Sequence, residues 1–204
     1  IPSVLINPND TDIIRQGSEI RRRFIDSMIS VIDKDYLRDL SQYQRLLRQR
    51  NAHLKQLAER KSKDRSLIDA YNEPLIILNK NIAKRRFELM DYGQSHFEKY
   101  YQHISDGSEK VKWKYSSKCL NKDFEKDYVS NLEKDIILQR TNMGIHKDEF
   151  HFLIDEKSIK KFGSQGQQKS CVLALKLVQF AVFEEFFHYA PILLLDDIFD
   201  KLDS

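Results

Sequence analysis

Cysteine, proline, glycine and tryptophan are all scarce in this chain: two, four, six and one in 204 residues. Cys119 and Cys171 lie far apart, so neither a disulfide framework nor a metal-ligand spacing is encoded; a reduced, cytosolic compartment is the simpler reading. The six histidines, at 53, 96, 103, 146, 151 and 188, form no cluster with them. His146 has no serine or cysteine at the spacing of a known nucleophile motif, which argues against a catalytic triad. No apolar run reaches the ~20 residues of a membrane helix, and no signal-peptide pattern opens the chain. An excess of either charge is missing too. Thirty-four Lys and Arg against 31 Asp and Glu leave a net charge of +3, too small by itself to imply a nucleic-acid partner. Finally, no Gly-x-x-x-x-Gly-Lys-[Ser/Thr] sequence occurs, so the chain encodes no complete phosphate-cradling loop of that type.

What is present is a helix-forming composition with 32% charged and 41% hydrophobic residues. Ser3–Ile6 is a short apolar run between Pro2 and Pro8 and reads as a strand; Asn7-Pro8-Asn9-Asp10 is turn chemistry. Gly17-Ser18 then precedes Arg21-Arg22-Arg23, and Phe24, Ile25, Met28, Ile29 and Ile32 share one helical face that Ser18 can N-cap. After a break at Asp33-Lys34-Asp35, Tyr36, Leu40, Tyr43, Leu47, Leu54 and Leu57 recur at three- and four-residue spacing to about Arg60, with Arg50 in the one polar slot. Across a polar hinge at 61–66, Leu67, Ile68, Tyr71, Leu75, Leu78, Ile82, Leu89, Phe97, Tyr100 and Tyr101 form a second stripe, in which Pro74 threatens a kink. Two such stripes predict an antiparallel helical hairpin, and the aromatics read as its core. Ser105–Ser108 is a turn. Val111–Tyr115 alternates as a half-exposed strand. A helix is expected over 123–141 with Gly144 at its C-terminal end, and Phe150–Ile154 is another strand.

The chemistry concentrates in the last ~45 residues. A glycine-containing polar turn, Gly163 to Gln168, precedes an apolar helix expected from about Lys169 to His188. Helix N-termini offer free N–H groups and a positive dipole end, and Gly163 and Gly166 leave the backbone bare enough for a phosphate to approach. Ile192–Leu195 reads as a buried strand of a parallel sheet, ending in Asp196 and Asp197 where such sheets bind ligands. Paired carboxylates there suit a magnesium ion beside nucleotide phosphates. The bland alternatives are an ordinary glycine turn and two capping aspartates; the occurrence of both motifs in this order argues against them.

Ser164-Gln165-Gly166-Gln167, Ile192–Asp197 and Leu202-Asp203-Ser204 resemble the signature motif, Walker B strand and D-loop of an ATP-binding-cassette ATPase head. Phe162–Gln168 with Leu-Leu-Leu-Asp-Asp, Asn7–Asp10, Arg22–Asp26, Tyr43–Asn51 and Gly144–Asp148 together resemble the RecF family, bacterial recombination mediators among the SMC-like ATPases. In Gly144-Ile145-His146-Lys147-Asp148, isoleucine and lysine stand where that family has proline and arginine. The resemblance implies an α+β, mainly helical fold: an antiparallel hairpin arm (18–108) inserted in part of an ATPase-type α/β head (1–17 and 109–204). The phosphate loop would then lie upstream of Ile1 and a switch-histidine strand downstream. It further implies that Asp196 helps hold Mg2+ through water and that Asp197 polarises the attacking water. Ser164, Gln165, Gly166 and Gln167 would close on the ATP of a second subunit, with Asp203 at the dimer seam. Arg21, Arg22 and Arg23 are candidates for DNA-phosphate contact, their alternative being a solvated helix face.

Implied partners are DNA at single-strand gaps or duplex junctions, a second copy in the presence of ATP, RecR, and indirectly RecO and RecA. The implied activity is weak ATP hydrolysis by the complete protein in the cytoplasm, within DNA repair, replication, recombination and the SOS response; the 204 residues alone are expected to be inactive. Two rivals stand beside this reading. One is a non-catalytic helical module that docks DNA or protein. The other is a different SMC-like ATPase with a much longer coiled coil, against which the short arm argues.

Overall fold

Asn7 and Pro8 do in three dimensions what their types suggest. The Asn7 side chain accepts from Asn9 N–H and the Asp10 carboxylate accepts from Asn7 N–H, closing a capping box with Pro8 in the first turn. In a computed structural model that describes residues 1–60, 65–105 and 109–196, this cap separates β1 (Ser3–Ile6) from a single 3-10 turn. The short helix α1 (Asp12–Arg15), absent from the sequence expectation, follows. Then come α2 (Ser18–Ile32), α3 (Lys34–Arg60) and α4 (Ser66–Ile104). After them are β2 (Val111–Ser116), α5 (Phe124–Ser130), α6 (Leu132–Leu138), β3 (Glu149–Ile154), β4 (Lys157–Ser158), α7 (Ile159–Phe162), α8 (Gln165–Phe187) and β5 (Ile192–Leu195). The protein is mainly helical with two small sheets: β1 beside β5, and β2-β3-β4.

The described residues group into two compact units. The first combines Ile1–Ile32, Glu88–Tyr115 and the chain from Glu149 on. Its parallel pair sets Ser3 through Ile6 against Ile192 through Leu195 in register. The centre of α8 is buried on nearly every side; Leu175 and Val178 are fully covered, each contributing roughly 1.5–3 kcal/mol. Within that apolar surface Lys176 is satisfied by the Leu5 carbonyl (2.9 Å) and the Asp10 carboxylate (2.8 Å), which fastens α8 to the β1 end. Gly93, inside α4, is required by its neighbour: a Cβ there would meet the Trp113 ring at 2.3 Å. That ring stacks on Phe97 and donates from Nε1 to the Met90 carbonyl (2.6 Å).

The second unit comprises Asp33–Phe87 and Ser116–Asp148. The expected break at Asp33 is a cap, its carboxylate accepting from Tyr36 N–H at 2.8 Å. Contacts between α3 and α4 run in opposite directions along the chain. Tyr36 receives Arg86, Asp39 receives Arg85, His53 lies against Tyr71, and Leu54 packs with Ile68. α4 is continuous through Pro74, whose place near the helix start leaves the Ala70 carbonyl on an exposed residue. Arg50, the polar slot in the α3 stripe, is fully buried. It donates to Asp135 and Thr141, both at 2.7 Å, and lies over the Tyr128 ring.

Four expectations need correction. The single helix over 123–141 is two, because Asn131 ends α5 and its side chain turns to the Asp135 carboxylate. Gly144 is not a helix C-terminus: Gln139, in the left-handed region, ends α6, and Gly144 opens a separate 3-10 turn. Leu67 is exposed, since it lies in the first turn of α4 beside the buried Ile68. β5 pairs in parallel as expected, but all four of its residues are exposed among the described residues, with β1 its one neighbour in the sheet. The 61–64 part of the polar hinge and the 106–108 part of the turn fall outside the described residues.

Candidate functional site

The polar turn before α8 folds as the helix's own first turn. Ser164 is the N-cap: its Oγ accepts from Gln167 N–H (3.2 Å), and the Gln167 side-chain oxygen accepts from Ser164 N–H (2.7 Å). The helix therefore begins at Gln165 rather than near Lys169, because the capping box supplies what an apolar start would not. Gln167 is held from its other end as well. Its amide donates to Glu109, which also accepts from Tyr101 Oη at 2.6 Å. Burial, then the bond to Glu109, raises Tyr101 well above an ordinary tyrosine, so the phenol keeps the proton it donates. Gln168 donates to the Gly163 carbonyl (3.1 Å) and accepts from Arg15 Nε (2.9 Å).

This network fixes the backbone and leaves its outer surface open. Ser164, Gln165 and Gly166 are exposed, and among the described residues the Ser164 hydroxyl hydrogen has no acceptor. The two glycines differ. A Cβ on Gly163 would meet the Ile159 carbonyl oxygen at 2.6 Å, so the fold itself needs that glycine. A Cβ on Gly166 would meet only Ser164 Oγ, at 3.8 Å. Among the described residues nothing requires Gly166 to be bare, whereas an approaching anion would. The N–H groups of Gln165 and Gly166 with the Ser164 hydroxyl thus form a donor set that fits a phosphate oxygen.

Asp196 stands at the C-terminal end of β5, exposed, its N–H continuing the ladder to the Ile6 carbonyl (2.9 Å). Among the described residues no group of three or more His, Cys, Asp or Glu could hold a metal ion. One exposed carboxylate fits a magnesium ion held through water beside phosphates, not a protein-caged one. Asp197 and Asp203 lie outside the described residues.

The three arginines of α2 do not form one strip. Arg21 is buried, donating from Nη1 to the Gln16 carbonyl (3.0 Å) and pairing with Glu149 at 3.7 Å. Burial lowers its pKa and Glu149 only partly opposes this. Arg22 is half-buried, and Arg23 is exposed and paired with Glu19.

Gly144–Asp148 lies in the second unit and is a structural clamp. Gly144 has φ +137°, and a Cβ there would meet Tyr43 Oη at 2.7 Å and Asn79 Oδ1 at 2.8 Å. His146 Nε2 faces the Thr141 carbonyl (3.0 Å), which can only accept, so Nδ1 accepts from Tyr43 Oη at 2.6 Å. Burial raises Tyr43 far above its ordinary value, in keeping with its donor role. Asp148 pairs with the buried Arg86 at 2.8 Å. Sequence reasoning missed Glu109, Arg15 and Gln16, because partners 58, 153 and 144 residues away leave no local pattern.

No family model matches the chain. Curated relatives do, over its whole length. It is 46% identical over 203 residues to the DNA replication and repair protein RecF of Cytophaga hutchinsonii, covering 100% of this chain and 54% of that protein. The RecF of Flavobacterium johnsoniae is also 46% identical over 204 residues, with 100% and 57% covered. The chain thus spans just over half the length of these relatives. A solved structure described as "the recombination mediator protein RecF-ATPrS in RecFOR pathway" superposes with a TM-score of 0.92 at 31% identity, covering 100% of this chain and 57% of that one. Its RecF-ATP counterpart gives 0.89 at 31% identity, covering 99% and 56%. Matched from its first strand to its last residues, the chain belongs to the RecF family.

Proposed function

We propose that the chain is the arm and signature-bearing portion of a RecF-type ATPase that closes as a dimer on DNA when ATP is bound. The observation that carries this reading is the first turn of α8: rigidly capped from within, open outward, with a glycine the fold does not need. In this reading, Ser164 donates its free hydroxyl hydrogen to a phosphate oxygen of ATP held by the second subunit. The N–H groups of Gln165 and Gly166 stand beside it, and Gln167, locked by Glu109, keeps the turn in shape. Asp196 holds magnesium through water, Asp197 orients and polarises the attacking water, and Asp203 lies at the seam. When bound, ATP would supply the β–γ phosphoanhydride bond to be hydrolysed and magnesium would neutralise its phosphate oxygens; the closed dimer would open once that bond is lost.

The arm of this reading, residues 18–108, is a hairpin built around α3 and α4; their opposed contacts and buried stripes support it. Two solved relatives described with ATP or its analogue support the nucleotide, and the RecFOR description of the same relatives supports RecR and, indirectly, RecO as partners. DNA gaps or junctions as the substrate and RecA loading as the outcome extend that description, in the bacterial cytoplasm where chromosomal DNA lies.

Sedimentation of the full-length protein with ATP tests the reading. Ser164→Arg should bind ATP as a monomer but fail to dimerise. Asp197→Asn should dimerise and persist, because water attack slows while the seam remains. Dimerisation of Ser164→Arg at the wild-type level would remove the trans role of this turn.

A further inference from the structure

A recess in the first unit is lined by Arg21, Glu149, Phe150, Ser158, Lys160 and Lys161, among others, and has a volume of about 220 Å³. Its charge is not balanced. Arg21 and Lys160 both donate to one acceptor, the Gln16 carbonyl at the end of α1, at 3.0 and 2.7 Å, which draws two cations together. The carboxylate within reach, Glu149, lies 3.7 Å from Arg21 Nη2, beyond a good hydrogen bond, and is itself 42% exposed. Arg21 Nε is buried with no hydrogen-bond partner. Lys161 is exposed and carries no ion pair among the described residues. One carbonyl dipole and one distant carboxylate thus face three positive charges, while Ser158 adds a hydroxyl to the lining.

We propose that this recess is a phosphate-binding subsite, formed where α2, β3 and α7 bring Arg21, Lys160 and Lys161 together. A site of 220 Å³ is smaller than the roughly 300–1,000 Å³ that encloses a drug-sized ligand. It takes one phosphate group of a larger molecule rather than a whole nucleotide. The guanidinium of buried Arg21 and the ammonium groups of exposed Lys160 and Lys161 suit the tetrahedral oxygens of a phosphodiester. α7 is followed directly by Gly163 and the Ser164 cap, so a ligand held here touches the element that leads into the signature turn. The inference rests on the reading of the chain as part of an ATP-dependent, DNA-bound protein. The phosphate can come from a DNA backbone or from a free nucleotide, and the test separates the two.

The full-length protein is compared with Lys160→Ala/Lys161→Ala and with Lys126→Ala/Lys134→Ala, an exposed pair in the other unit. Duplex-DNA affinity is measured across a salt series, and ATP affinity by calorimetry. If the phosphate is DNA's, the Lys160/Lys161 variant alone lowers the slope of log affinity against log salt by about 0.9 for each phosphate no longer neutralised, with ATP binding unchanged. If it is a nucleotide's, ATP affinity falls several-fold in that variant while the DNA slope stays. If neither measurement moves, or the control pair moves them equally, the subsite is refuted even though the DNA reading stands. Failure of the wild-type protein to bind duplex would instead end the DNA reading, and the ATP measurement would still decide the recess.

Discussion

Gly166→Ala separates what the signature turn needs for folding from what it presents outward. Gly166 is the second residue of α8, and a Cβ there meets only Ser164 Oγ, at 3.8 Å, an ordinary van der Waals contact. Its backbone is not in the left-handed region, so alanine fits without strain. Replacing a helical glycine by alanine is worth roughly 0.5–1 kcal/mol of stability. In the proposed ATP-bound dimer the same methyl stands between the helix N-terminus and the phosphate of the second subunit's nucleotide. A tenfold weakening of ATP-driven dimerisation corresponds to about 1.4 kcal/mol and is the minimum expected. The neighbouring Gly163→Ala is the converse control. Its Cβ would lie 2.6 Å from the Ile159 carbonyl oxygen, a backbone atom that cannot step aside, so the fold should lose stability. Urea unfolding and sedimentation with and without ATP, run on both variants, give two independent readouts. Wild-type dimerisation by Gly166→Ala would refute the phosphate-facing role, and a destabilised Gly166→Ala would refute the steric argument beneath it.

Gly93→Ala gains helix propensity but drives its methyl into the Trp113 ring at 2.3 Å; overpacking costs about 1–3 kcal/mol, so a net loss and a changed tryptophan emission are expected. Asp148→Ala leaves Arg86 buried without its carboxylate and should cost about 3–5 kcal/mol in urea unfolding. Arg86→Met/Asp148→Leu should recover much of that, because no charge remains uncompensated. Cys119 and Cys171 are both buried free thiols, the first pushed up to about 12 by burial and then by Asp148, the second raised by burial alone. A thiol pKa raised by folding gives stability that is full below the unfolded value and lost as pH rises toward the folded one. Unfolding midpoints should therefore fall above about pH 9, and at pH 7 maleimide should label each cysteine only when its own unit opens, as mass spectrometry of single-cysteine variants can show.

Periodicity made the long elements legible. The α3 stripe was readable down to its one exception, because a polar residue at a buried helical position has to be explained, and Arg50 is buried on Asp135, Thr141 and Tyr128. The signals that failed were those in which side chains override local pattern. Asn131 divides what four-residue spacing joins, since its amide turns to Asp135 while the apolar face continues from Phe124 and Tyr128 to Leu132. Gln165 to Gln168 read as loop because they are polar and contain glycine, yet the reciprocal bonds of Ser164 and Gln167 make them helix.

The candidate site was legible as residue types and not as geometry. Ser164, Gly166 and Asp196 stood out because a glycine-containing turn and strand-end carboxylates, each with an ordinary structural reading by itself, occur together in this order. Which glycine the fold needs and which it leaves open could not be read from Gly163-Ser164-Gln165-Gly166. That distinction depends on the Ile159 carbonyl being under one of them and open space over the other. The arginine run shows the same limit from the other side. Three adjacent arginines look equivalent in sequence, but 100° per residue turns Arg21 inward to Gln16 and Glu149 while Arg23 stays on the surface. Charge placed inward without a full complement is the more informative kind. A solvated arginine is stable with or without a ligand, whereas Arg21, drawn with Lys160 to a single carbonyl, is better satisfied when an anion joins them.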